Sequence, residues 1–205
     1  MTSVLHASGQ QPSLELEAGK VVGLVGAPGF GLTRLGLGLL RDQPGWVACV
    51  DVRGWLSPAA LWEVGVSPER AVIVRCPDAR RWPQVTAALV EGMRAVYAEV
   101  PSGVAAPMLR RLGALARARA TPVMLRPLGG DIPAGLAHLR LEAQSVAWKG
   151  AGRGRGRLQE RNFTLAVSGK GAGGIQQIIE VEDDGTNAVR VVPRLGVAMP
   201  ERAVG

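Results

Sequence analysis

The sequence predicts an α/β fold: a mostly parallel central sheet flanked by helices, with an antiparallel C-terminal extension. Three observations carry the secondary-structure part of that expectation. Apolar, β-branched runs recur at 21–25, 46–52, 71–76, 95–100 and 122–125, each short enough for a strand buried on both faces. Helix-like stretches at 33–41, 58–63, 84–93 and 104–120 alternate with them, and such alternation builds a parallel sheet between two helical layers. After about Gly130 the helices stop, and "HLRLEAQSVAW", "NFTLAVSG", "IQQIIEVE" and "AVRVVPRL" follow one another as strands.

In chain order, the first run, 21–25, enters a glycine-rich turn and then the helix at 33–41, the order of a strand–turn–helix unit. The next three strands, 46–52, 71–76 and 95–100, are followed by the helices at 58–63, 84–93 and 104–120, and 122–125 ends the alternation. Among the late strands, "KGAGRGRGRLQER", 149–161, is glycine-rich and basic, unable to pack a core, and reads as a mobile loop. "VEDDGTNAV" reads as a hairpin turn on its Asp-Gly pair. The expected organisation is a flexible N-terminus (1–13), one domain (14–195) and a C-terminal tail (196–205).

The 205 residues suffice for one ordinary domain with its own core. A hydrophobic content of 47% excludes a disordered chain. No apolar run approaches the roughly 20 residues of a membrane span, and "MTSVLHASGQQPS" lacks the basic-then-apolar design of a signal peptide. The expectation is a soluble, cytoplasmic protein without a membrane partner. Cys49 and Cys76 lie in apolar strand-like runs at a spacing that fits no metal or redox motif, so both read as buried, reduced thiols. His6 and His138 have no partner at catalytic spacing; neither a catalytic constellation nor a metal-ligand set is expected. Trp46, Trp55, Trp62, Trp82 and Trp148 fall at element ends and mostly read as packed, with Trp55 and Trp62 as candidates for exposure.

The net charge of +7 points to nucleic acid or an acidic protein as partner, without separating the two. In "APMLRRLGALARARA", Met108, Leu109, Leu112 and Leu115 recur at helical spacing while Arg110, Arg111, Arg117 and Arg119 take other faces. These arginines read either as a solvated face over a core stripe or as the edge of a partner or anion surface. Lys149, Arg153, Arg155, Arg157 and Arg161 lie in the glycine-rich segment and are candidates for polyanion contact. With no aromatic residue before Phe163, DNA binding there is expected to be weak, salt-sensitive and indifferent to sequence.

"GLVGAPGFGLTRL", 23–35, keeps the spacing of a phosphate-binding P-loop, G-x-x-x-x-G-K-[ST], at Gly26, Gly31 and Thr33. The lysine position is Leu32, which offers neither charge nor hydrogen bond to a nucleotide's terminal phosphates. From the loop alone, a vestigial nucleotide site and a plain strand–turn–helix connection remain open.

"DVRGWLSPAALWEVGVS", 51–67, resembles the segment after the P-loop helix of the RecA recombinase family, D-A-E-H-A-L-D-P-x-Y-A-x-x-L-G-V-D, with Asp51, Leu56, Pro58, Gly65 and Val66 matching without a gap. Pro77 and Asp78 resemble that family's L-x-x-x-Q-P-D run, and "AVYAEVPSGVAA" its Walker B strand; the resemblance covers about residues 14–195. It implies that the catalytic glutamate falls on Arg53, the adenine-stacking ring on Ala60, the adenine-contacting aspartate on Ser57, and the Walker B carboxylate near Glu99 or Val100. Loss of phosphate charge, base and adenine platform together implies that ATP hydrolysis has been abandoned, with no catalytic residues and no cofactor. The two DNA-binding loops and the N-terminal docking helix of that family have no counterpart, so the chain is not expected to form a RecA filament by itself.

A short RecA-like chain with such a site resembles the ImuA family of mutasome accessory proteins. That resemblance implies a role in SOS-induced translesion synthesis, association with the nucleoid during DNA damage, contact with an ImuB-like Y-family polymerase homologue, and a permitted contact with RecA. The relatives weighed against it are SulA, an inhibitor of cell division, and a divergent RecA-type DNA-dependent ATPase in which another cation such as Arg34 replaces the lysine.

Overall fold

The computed structural model of the chain describes residues 14–150, 159–185 and 190–192. β1 (Val21–Val25) leads through the glycine loop into α1 (Leu32–Gly38). β2 (Val47–Asp51), β3 (Ala71–Arg75) and β4 (Ala95–Val100) are followed by α2 (Pro58–Trp62), α3 (Trp82–Gly92) and α4 (Ala106–Arg119), and β5 (Val123–Pro127) ends the alternation. Among the described residues, β6 (Leu139–Lys149), β7 (Glu160–Ser168), β8 (Gln177–Asp183) and β9 (Arg190–Val192) complete a nine-stranded sheet of order β3-β2-β4-β5-β1-β6-β7-β8-β9.

The α/β fold is the expected one, but the change of strand direction falls one strand later. β6 runs parallel to β1, from Val22 opposite Leu139 to Val25 opposite Glu142, and only β7 reverses. Residues 128–138 make this crossover without a regular helix. Ile132 and Leu136 are buried there against the sheet, so two side chains do the covering that a crossover helix does elsewhere. A second correction concerns the 71–76 run: β3 is the edge of the sheet, and Ala71–Val74 are only half-buried.

Side chains alternate between two cores, as a parallel sheet covered on both faces requires. Val22, Leu24, Cys49 and Tyr97 face the cluster formed with Leu32, Leu35 and Leu37 of α1 and Leu61 of α2. Val21, Val50, Val96 and Ala98 face the cluster formed with Trp82 and Val90 of α3 and Leu109, Leu112 and Ala116 of α4. On α4 the expected apolar stripe buries Leu109 and Leu112, while Met108 is exposed. Arg110, Arg111, Arg117 and Arg119 are all exposed, and Arg119 pairs with Glu91 at 3.2 Å.

α1 lies so close to the sheet that Gly36 has no room for a side chain. A Cβ there would stand 2.7 Å from both Leu24 Cδ1 and Tyr97 Cε2. Both cysteines are buried and unbridged. Trp82 packs in the core, donating from Nε1 to the Glu99 carbonyl at 2.6 Å, and Trp55 and Trp62 are exposed as their positions allowed, whereas Trp46 and Trp148, expected to pack, stand about half exposed.

The basic segment is shorter than the 149–161 loop expected. Lys149 ends β6 and pairs with Glu160 at 2.7 Å, and Arg161 lies within β7. Arg153, Arg155 and Arg157 lie outside the described residues, as do 1–13 and 196–205. Among the described residues, no helix is long and apolar enough to cross a membrane.

Candidate functional site

Parallel strands deliver their carboxyl ends to one edge of the sheet, where the loops after them converge. Here the glycine loop after β1, the loop after β2, the end of β4 and the end of β5 meet. The two loops and the end of β5 border a cleft of about 370 Å³ with Arg34 and Leu37 of α1, Ala60 of α2, Glu63 and Arg161.

The loop keeps the shape its glycines allow. Gly31 closes it at φ 76°, the left-handed conformation that a side chain disfavours, just before α1 begins. The residue at the lysine position is buried: Leu32, at the floor of the loop, is 1% exposed and belongs to the apolar core. Thr33 stands at the hydroxyl position, beside the buried Tyr97 phenol, whose pKa burial pushes well above its ordinary value while the Thr33 hydroxyl opposes that shift.

The carboxylate expected near 99–100 is Glu99, wholly buried on β4. It accepts from the backbone N–H groups of Val52 (3.0 Å) and Arg53 (3.2 Å) and from Arg53 Nε (3.0 Å), and Arg53 Nη2 closes the pair. Arg53 also lies 4.6 Å from the centre of the Trp55 ring. The residue standing where the resemblance puts the water-activating base thus engages the carboxylate standing where it puts the magnesium ligand. Asp51 is structural: its carboxylate accepts from the N–H groups of Gly54 (2.8 Å), Trp55 (3.2 Å) and Leu56 (3.1 Å), which fixes the loop that presents Arg53. Ser57 caps α2, accepting from the Ala59 N–H at 3.2 Å, and Ala60 lines the cleft with no ring to offer a base.

Three arginines gather around the loop, Arg34 from α1 beside it and Arg126 and Arg161 from distant strands. Arg34 donates from Nε to Asp183 (2.9 Å) and from Nη1 to Glu63 (3.3 Å). Arg161 pairs with Asp183 as well, and its guanidinium lies so close that a Cβ on Gly31 would meet its Cζ at 2.7 Å. Arg126, from β5, is 5% exposed and donates from Nη1 to the carbonyls of Gly26 (2.9 Å) and Leu24 (3.4 Å) and from Nη2 to that of Ala27 (3.4 Å). Burial lowers the Arg126 pKa from its ordinary value, but a guanidinium remains charged at neutral pH.

Arg126 and Asp183 escaped the sequence reading. The signal for Arg126 was a charged residue inside the otherwise apolar "PVMLRP", where only a satisfied buried arginine fits. Asp183 lies inside "VEDDGTNAV", which reads as a hairpin turn on its Asp-Gly pair and gives no sign of a partner. Among the described residues no group of acidic, histidine or cysteine side chains could hold a metal ion.

This arrangement, a glycine loop and a Walker-B-like strand on a mostly parallel sheet with an antiparallel flank, defines a RecA-like α/β domain. The crystal structure of the RadB recombinase has the same fold: TM-score 0.53 at 19% identity, covering 80% of this chain and 88% of that one. More narrowly, residues 11–133 match the model of the MT3502 N-terminal domain, and the chain belongs to that family. No curated protein matches it.

Proposed function

We propose that the chain is a non-catalytic RecA-like accessory protein that works through contacts with other proteins and holds neither nucleotide nor metal. The observation that carries this reading is the buried Arg53–Glu99 pair. Magnesium–nucleotide chemistry needs a free carboxylate at that strand end, a base beside it and a cation on the loop. Here the carboxylate is neutralised by the residue in the base's place, and the loop's cation is replaced by a leucine buried in the core.

The resemblance of a short RecA-like chain with altered residues at Leu32, Arg53, Ser57 and Ala60 to the ImuA family supports a finer reading: an accessory role in damage-induced translesion synthesis beside an ImuB-like polymerase homologue, with RecA as a further contact. The basic segment around 149–161 adds weak, non-specific DNA affinity.

The test is genetic. Deleting the gene abolishes damage-induced mutagenesis, and an allele carrying Thr33→Ala, which removes the loop hydroxyl, restores it. Unchanged mutation frequency in the deletion, with filamentous cells on overexpression, would favour a division inhibitor instead. Failure of Thr33→Ala to complement, despite normal folding, would favour an ATPase.

A further inference from the structure

The cleft holds more positive charge than its own carboxylates balance. Among the described residues its lining carries Arg34, Arg53, Arg126 and Arg161 beside one carboxylate, Glu63, while Glu99 pairs with Arg53 and Asp183 with Arg34 and Arg161. Among the described residues Arg126 hydrogen-bonds backbone carbonyls and no carboxylate, and its buried Nε has no partner. The Nε of Arg161 is likewise buried without one. A guanidinium carries five N–H donors, so an arginine in one ion pair keeps capacity for a second acceptor.

Apolar surface stands beside this charge. Trp55 is 72% exposed under the Arg53 guanidinium, and Phe30 rises from the glycine loop into the cleft wall. Exposed tryptophan next to arginine is the composition of protein interface hot spots.

We propose that the cleft is a docking site for an acidic segment of a partner protein, with a carboxylate seated among these guanidinium groups and a neighbouring apolar side chain laid on Trp55. The proposal rests on the reading that the cleft takes no nucleotide, and names the chemistry of what takes its place. Charge complementarity selects the occupant. The chain's own outer segments do not supply it: residues 1–13 contain no acidic residue, and 193–205 contain one glutamate against two arginines.

The test is fluorescence anisotropy at low salt with a short labelled peptide of alternating glutamate and leucine, a glutamine–leucine counterpart and an oligo-dT strand, each against the full chain. Two variants accompany it: Trp55→Ala at an exposed site, and Arg161→Met, in which Asp183 keeps Arg34. The glutamate peptide binds, the glutamine peptide does not, and each variant weakens binding about tenfold, a loss of about 1.4 kcal/mol. Equal binding of the two peptides, full binding by Trp55→Ala, or tighter binding of oligo-dT would overturn the proposal. A parallel titration with Mg-ATP separates the two readings: nucleotide binding sinks the proposed function, whereas silence toward both nucleotide and acidic peptide sinks the docking site alone.

Discussion

Replacing Arg53 by methionine tests the structural centre of the site. Glu99 is wholly buried, and the Arg53 side chain is 24% exposed, so the pair is largely withdrawn from water. Removing one partner of a buried pair typically costs about 3–5 kcal/mol, because the other charge is left uncompensated. Glu99 keeps two backbone donors, the N–H groups of residues 52 and 53, which places the expected loss at the lower end, about 3 kcal/mol. For a chain of this size that is a fall in Tm of roughly 6–12 °C. Adding Glu99→Gln to Arg53→Met removes the stranded charge while leaving an oxygen for both backbone donors, so the double variant recovers about 1–2 kcal/mol relative to Arg53→Met. Urea unfolding followed by far-ultraviolet circular dichroism measures all three proteins. A loss below about 0.5 kcal/mol in Arg53→Met, or no recovery in the double variant, would refute the claim that Arg53 exists to hold Glu99.

Restoring the P-loop residue with Leu32→Lys does not restore a nucleotide site, because position 32 faces the core; the variant loses about 2–5 kcal/mol on urea unfolding and shows no heat on titration with Mg-ATP. Gly36→Ala forces a methyl group against Leu24 and Tyr97 and costs about 1–3 kcal/mol, read in the same assay. Burial pushes the Cys49 thiol up to about 12, so it does not react with a disulfide reagent at pH 8 until the chain is unfolded, and burial raises the Cys76 thiol as well. The same shift has a pH signature. Below about 9 the Cys49 thiol is neutral folded or unfolded and contributes no pH dependence; between about 9 and about 12 only the unfolded chain ionises there, so stability falls with rising pH by on the order of 1 kcal/mol per unit.

Much of the fold was legible because local patterns and global architecture agree. The apolar runs at 21–25, 46–52, 95–100 and 122–125 became strands of the sheet's interior, and the intervening helices took both faces. What the pattern concealed was partner choice. The period of β6 shows that it is a strand, but its pairing with β1 depends on Ile132 and Leu136 tucking a helix-free crossover against the sheet. Likewise β3 has the composition of an interior strand, and nothing local to it says that no strand follows on its outer side.

The site was half legible for a related reason. The departures at Leu32, Arg53, Ser57 and Ala60 lie in two short segments whose spacing is itself the signal. Arg126 and Asp183 reach the cleft from β5 and β8, about a hundred or more residues from the loop, and only the strand order brings them there. Trp55 was legible as a candidate for exposure, whereas Trp46 and Trp148 were read as packed because apolar size alone does not reveal which side of the sheet's rim a ring takes.

The central claim is that this RecA-like domain has exchanged nucleotide binding for protein contact, and a thermal melt with Mg-ATP tests it most directly. A ligand at a hundredfold excess over its Kd adds about 2.7 kcal/mol, which raises Tm by roughly 5–11 °C in a domain of this size. The account predicts an unchanged Tm at millimolar Mg-ATP. A rise of that size, abolished by Gly31→Val in the loop, would contradict it.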